Sequence, residues 1–312
     1  MAEHVLERGR VHYKWDNSLE PAIEVEPGDV VHFETQEVTD GQITPGCPAS
    51  ALGSIDFNRL YPLAGPVFVK GAEPGDVLEI EMLKLDPIDW GWTGLLPGLG
   101  LLAEDFTEPY IRHFDLTNGR DTALRDDIRI PLQPFCGTMG VATDEPGQHD
   151  VLPPTKGAGN IDTRHLNVGA TLHLPVFLPG GMFSVGDCHA AQGDGEVCVT
   201  GIECPMSLTL RFGVRKGRSL KPWRYQFVTP PGSLQPRSDE KGYFAATALG
   251  PDLMENAKNA VRDLIEWLVA EKGLSREDAY VLCSLAADLK ISQIVDQPNF
   301  GVSAYLAMSV FR

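Results

Sequence analysis

Glu26-Pro27-Gly28-Asp29-Val30-Val31-His32-Phe33-Glu34 is echoed further along the chain by Glu73-Pro74-Gly75-Asp76-Val77-Leu78-Glu79-Ile80-Glu81. In both, a Pro-Gly pair suited to a turn leads into residues of alternating character, the period of a half-buried strand. Leu178-Pro179-Gly180-Gly181, ahead of Met182 to Asp187, reads as a third hairpin of the same kind. Turns that recur before short strands predict a mainly β protein, with a β-sandwich or distorted barrel as its body, rather than a parallel α/β sheet. The 24 prolines and 32 glycines are enough to punctuate many such strands.

This character holds to about residue 215 and then changes. We expect a β-rich catalytic body over 1–215 and a smaller C-terminal α/β lobe over 216–312 packed on it, the two forming separate domains or one continuous domain. Pro251 suits the first turn of a helix, and Leu253, Ala257, Val261, Leu264, Ile265 and Leu268 give it an apolar stripe. Gly273 stops it, and Ser275 with Asp278 forms a capping box for a second helix carrying Ala279, Leu282, Cys283 and Ala286. Val302, Ala304, Leu306, Met308 and Val310 alternate with smaller or polar residues, a strand pattern. These helices carry no cluster of titratable groups, so the lobe reads as structural. Asp86 to Thr107 lacks periodicity and reads as a long loop covering a pocket.

The 312 residues suffice for a substantial core. With 43 acidic against 26 basic residues, the formal charge of −17 opposes a nucleic-acid partner. No stretch reaches the roughly 18 apolar residues of a membrane span. The first ten residues lack the apolar core of a secretory signal, and the six cysteines include no C-x-x-C pair. A cytoplasmic protein with reduced thiols is expected, as a homodimer or higher homo-oligomer.

The chemistry concentrates in Gly186-Asp187-Cys188-His189-Ala190-Ala191-Gln192-Gly193-Asp194-Gly195-Glu196. On a strand, Asp187 and His189 share a face and Cys188 takes the other. One carboxylate and one imidazole can thus meet a single divalent metal, zinc above all. The Gly193-Asp194-Gly195 turn returns Glu196 to the same place, as a base for a metal-bound water, with Asp194 the runner-up.

This string, with Gly159-Asn160-Ile161-Asp162, Leu174-Pro175-Val176 and Gly201-Ile202-Glu203, resembles the acetamidase/formamidase family of amide hydrolases. Weaker echoes are Phe33-Glu34-Thr35 with Gly41-Gln42-Ile43, and Ala286 to Ile291, so the likeness runs from about residue 15 to the end. The resemblance implies an amidase that hydrolyses short aliphatic amides of the formamide or acetamide type to a carboxylate and ammonia. It brings in Asn160 and Asp162 as substrate-binding residues on a small-residue loop that a substrate can approach closely. It also adds Glu37 as a third metal ligand, although Gln36-Glu37 stands where a shorter acidic residue is expected. Glu34 and Glu203 are expected to support the ligands from behind, since histidine ligands need an oriented partner. The stretch around Trp90, Trp92 and Leu95 to Leu102 is the apolar lid expected to limit substrate length. A calcium-dependent, carbohydrate-binding β-sandwich without catalysis stays open, because aspartates and Gly-Asp-Gly turns suit calcium. So does a hydrolase of lactone or urea-like bonds.

Overall fold

Residues 1–7, 9–232, 240–295 and 297–312 are described by the structure, a computed structural model. Two six-stranded sheets share one apolar core. The first runs Glu3–Leu6, Val30–Thr35, Met206–Arg215, Val77–Pro87, Thr171–Pro175, Gln226–Val228, antiparallel except for its parallel first pair. The second runs Ala158–Asn160, Phe135–Val141, Phe183–His189, Leu63–Val69, Val11–His12, and Ile23–Val25 joins Leu63–Val69 in parallel. Phe183 of the second sheet meets Phe212 of the first edge-on, with centroids 5.4 Å apart. Among the described residues no closed barrel forms, so the mainly β body is an open sandwich.

Strand alternation builds that core. Leu78, Ile80 and Met82 are fully buried while Glu79 and Glu81 between them stay partly exposed. Each such side chain contributes about 1.5–3 kcal/mol by leaving water. The same logic turns Phe33 and Thr35 inward and leaves Glu34 exposed.

The echoed Glu-Pro-Gly-Asp segments are corners rather than hairpins. Ile23–Val25 belongs to the second sheet and Val30–Thr35 to the first; Leu63–Val69 and Val77–Pro87 repeat that crossing. Both corners use one device, in which the aspartate side chain accepts from the glutamate N–H, Asp29 at 3.1 Å and Asp76 at 2.8 Å. The glycines hold left-handed φ of 98° and 93°, which L side chains avoid. Leu178 to Gly181 crosses in the opposite direction, since Thr171–Pro175 and Phe183–His189 lie in different sheets. Local turn chemistry is visible in sequence; which sheet each arm joins depends on distant partners.

The C-terminal lobe is an antiparallel sheet ordered Tyr243–Gly250, Phe300–Ala307, Ala287–Gln293, with helices α1 (Leu253–Lys272) and α2 (Arg276–Ala286). Pro251, expected in the first turn of α1, lies just ahead of it, and Asp252 caps the helix by accepting from the N–H groups of Met254 and Glu255. The left-handed Gly273 ends it, and Ser275 caps α2 by accepting from Asp278 N–H. The expected strand ends at Ala307, where Met308–Val310 turns into a short 3-10 helix. Gln226–Val228 pairs with Thr171–Pro175, so the body reaches beyond 215. Asp86 to Thr107 is not one loop: Trp90–Leu95 forms a strand against Tyr110–Asp115. Among the described residues no helix is long and apolar enough to cross a membrane.

The lobe backs directly onto the segment that carries the chemistry. Ser284 of α2 accepts Gly193 N–H through its carbonyl at 2.7 Å and donates from Oγ to Thr200 O at 2.9 Å. Tyr280 donates to Val197 O.

Candidate active site

His189 ends the central strand Phe183–His189 of the second sheet, its ring edge-on to Phe135 with centroids 5.1 Å apart. Its Nδ1 lies 2.8 Å from Gln192 Oε1, and Gln192 Nε2 donates to Asp162 O at 3.0 Å. The second bond fixes which end of the glutamine amide faces the imidazole, so Nδ1–H donates and Nε2 is left to face the carboxylates. Around Nε2 lie Glu203 Oε1 at 3.1 Å, Asp187 Oδ1 at 3.3 Å and Glu196 Oε1 at 3.8 Å. Two overlapping groups result, Asp187–His189–Glu203 and Asp162–His189–Glu196, with donor atoms in each within 4.8 Å of one another.

The backbone works to achieve this. Asp162, Asp187 and Glu196 all hold left-handed φ, of 39°, 52° and 42°. Such conformations cost free energy outside glycine and concentrate at functional sites. The φ of Asp187 breaks regular strand geometry, yet Asp187 and His189 still converge. Cys188 turns the other way into the core, against Thr35 Oγ1 at 3.3 Å and Cys136 Sγ at 3.8 Å. Gly137 on the neighbouring strand makes room: a Cβ there would meet Asp162 Oδ1 at 2.5 Å and Asp187 Oδ2 at 2.8 Å. Its carbonyl accepts from the N–H groups of both Ile161 and Asp162.

Four carboxylates in a buried space cannot all be charged without compensation. Burial first, then the neighbouring Asp187, pushes Asp162 up to about 8. Burial raises Glu203 to about 7 and lifts Glu196 well above the carboxylate range, with repulsion from the other acids adding to both. Burial disfavours charge on His189, but Glu203 and Asp187 outweigh it and hold the imidazole well above its usual value. Such a cluster takes up positive charge, as protons or as a cation. Asp162 Oδ1 and Glu203 Oε2 are buried with no hydrogen-bond partner, as oxygens reserved for a cation would be. The donor set, one imidazole nitrogen and carboxylate oxygens, fits a divalent metal.

Not every expected residue is in this cluster. Glu37 lies outside both groups: its two oxygens accept from Thr39 N, Thr39 Oγ1, Gly41 N and Trp92 Nε1, and it anchors its own loop and Trp92. Glu34 points outward from the first sheet, and its strand neighbour His32 faces Thr209 and Glu3, away from the site. Asp194 is drawn off by Arg164, whose Nε donates to Oδ1 at 2.9 Å. Burial pushes the Asp194 carboxyl up, but His165 and Arg164 outweigh it and hold it low. Asp162 and Glu203, expected as substrate-binding and supporting residues, sit among the donors themselves. Asn160 Oδ1 accepts from Thr138 Oγ1 at 3.0 Å, and the same hydroxyl is 3.2 Å from Asp187 Oδ2.

A cavity of about 100 Å³ lies against the cluster, lined by Asn160, Asp162, Asp187, Glu196 and Glu203 on one side and Trp92 and Tyr61 on another. Sequence reasoning assigned no role to Gln192, Thr138, Gly137 or Tyr61. Gln192 stands inside the quoted motif, so a search for the partner of His189 Nδ1 could have found it. Tyr61, in Leu60-Tyr61-Pro62, carries no local signal. Burial, and then the facing Asp187, Glu196, Asp162 and Glu203, push its phenol well above the usual value, so it stays an O–H donor.

The sequence model of the Acetamidase/Formamidase family matches residues 2–148 and 145–312. A formamidase of Methylophilus methylotrophus is 26% identical over 368 residues, spanning 97% of this chain and 90% of its own. The crystal structure of an acetamidase from Bacillus halodurans is 34% identical, with a TM-score of 0.68 over 98% of this chain and 97% of that one. A gamma lactamase structure from Delftia acidovorans shares the fold at a TM-score of 0.90, with 24% identity over 99% of this chain and 93% of that one.

Proposed function

The chain belongs to the acetamidase/formamidase family and is an amidase, and on that premise we propose that it hydrolyses short aliphatic primary amides, of the formamide and acetamide type, at the cluster around His189. The observation that carries the assignment to this place is the pair of buried, unpartnered carboxylate oxygens, Asp162 Oδ1 and Glu203 Oε2, beside an imidazole whose other nitrogen is held by Gln192. His189, Asp187 and Glu203 would hold a divalent cation, zinc in our reading because of the imidazole. The chemistry such a cation supplies when bound is Lewis-acidic, polarising a carbonyl and making a water acidic near neutral pH.

The remaining work falls to the chain's own groups. Glu196 accepts a proton from the attacking water and delivers it to the amide nitrogen, because an amide anion is too basic to leave unaided. Its raised proton affinity suits it to hold the proton between those two transfers. Thr138 steadies Asp187 and Asn160, Gln192 sets the His189 tautomer, and Tyr61 offers an O–H to the substrate carbonyl. The calcium-dependent carbohydrate-binding reading finds no support among relatives named as amidases. Six free thiols support a reducing compartment such as the cytoplasm.

Ammonia release from formamide and acetamide, with Glu196→Gln beside the wild type, tests the reading. The variant should keep its cation and lose about a hundredfold in rate, the scale of general acid–base assistance. An unchanged rate would remove Glu196 from the mechanism; silence of the wild type on every amide would end the proposal.

A further inference from the structure

The cavity beside the cluster has one polar wall and otherwise apolar ones, with Val38, Ile55, Leu60, Trp92, Leu96 and Leu99 among its lining. It does not end there. Phe57, Leu60, Tyr61 and Leu152 line both this cavity and a second hollow of about 300 Å³, so the two adjoin. Of the residues lining the cavity, Phe57, Leu99 and Leu152 stay 59%, 38% and 46% exposed. Apolar residues scattered singly on a surface need no account, but three large ones around the approach to a buried acidic cluster do. Formamide has no apolar atom to place on these walls, and acetamide has a single methyl. The apolar wall therefore offers binding free energy that such substrates leave unused. Farther out, Lys14 and Asp150 line the second hollow and pair with each other, so the approach presents no uncompensated charge from either.

Resting on the amidase reading of this site, we propose that its preferred substrates are primary amides with an uncharged apolar acyl chain longer than acetyl. The carboxamide meets the His189 cluster, and the chain runs past Trp92 and Leu60 toward Phe57 and Leu152. The segment around Trp92 then acts as a wall for the chain and not as a stop that limits its length.

The test is the specificity constant over acetamide, propionamide, butyramide, valeramide and hexanamide, read by ammonia release. Each methylene that leaves water should raise kcat/KM by about three- to fourfold until the chain outgrows the hollow. Phe57→Ser, at a largely exposed position that does not endanger folding, should lower the hexanamide to acetamide ratio by about tenfold. A constant or falling kcat/KM from acetamide upward overturns the inference and leaves the amidase reading standing. No ammonia from any member of the series overturns the amidase reading, and the inference with it.

Discussion

Gly137→Ala should damage the active site without a single change to the groups that perform chemistry. An alanine Cβ at this position would lie 2.5 Å from Asp162 Oδ1 and 2.8 Å from both the carbonyl and the Oδ2 of Asp187. Ordinary van der Waals contact begins at 3.4 Å, so Asp162 must retreat by about 0.9 Å and Asp187 by about 0.6 Å. Neither can do so cheaply: Asp162 N–H is bonded to Gly137 O at 3.1 Å, and the Asp187 carbonyl is backbone of a central strand. Overpacking of this kind costs about 1–3 kcal/mol of stability. Catalytic groups tolerate displacements of about 0.5 Å, and a misplacement of about 1 Å can cost a hundredfold in rate. We expect kcat for acetamide to fall at least about a hundredfold while the protein still folds and melts cooperatively. Gly213→Ala is the control, because a Cβ there meets nothing closer than 3.4 Å. Wild-type turnover in Gly137→Ala would show that Asp162 and Asp187 need not stand where the structure puts them.

Gln192→Leu keeps the bulk of the side chain but removes the acceptor of His189 Nδ1–H; cation affinity, measured by titration of metal-free protein, should weaken by about 10–100-fold, and unchanged affinity would refute the tautomer argument. Asp29→Asn tests the corner: the Ala2 N–H, then His4 and the Glu26 N–H, hold the Asp29 carboxyl down at about 2. A depressed folded-state value stabilises the protein above the unfolded value of about 3.9 and ceases to do so as pH falls toward about 2. The variant should therefore be less stable than wild type at neutral pH in urea unfolding, with the gap closing between about pH 4 and pH 2; a gap independent of pH would contradict it.

The strands and the helix caps were legible because their signals are local. Alternation marked the strand around Phe33, though not that Glu34 faces away from the site, and Gly273 and Ser275 bounded the helices by backbone chemistry alone. The corners were misread because a Pro-Gly turn bends the chain identically whether its arms pair with each other or join opposite sheets. The Ala287–Gln293 strand was missed since its burial comes from neighbours far away in sequence. At the site, Asp187 and His189 declared themselves by spacing, whereas Asp162 and Glu203 reach His189 through other segments of the chain. For Glu37, residue type does not reveal that four nearby donors, Trp92 Nε1 among them, bond its two oxygens. Tyr61 and Gly137 act by proximity, which no sequence window contains.

The two donor groups share one imidazole nitrogen, so the cluster should bind about one divalent cation per chain through His189. Elemental analysis and acetamide turnover of purified wild type and His189→Ala, measured side by side, test this most directly. The account predicts about one equivalent of cation and steady ammonia release for the wild type, and neither for a folded His189→Ala. Full cation content and wild-type ammonia release in His189→Ala would contradict it.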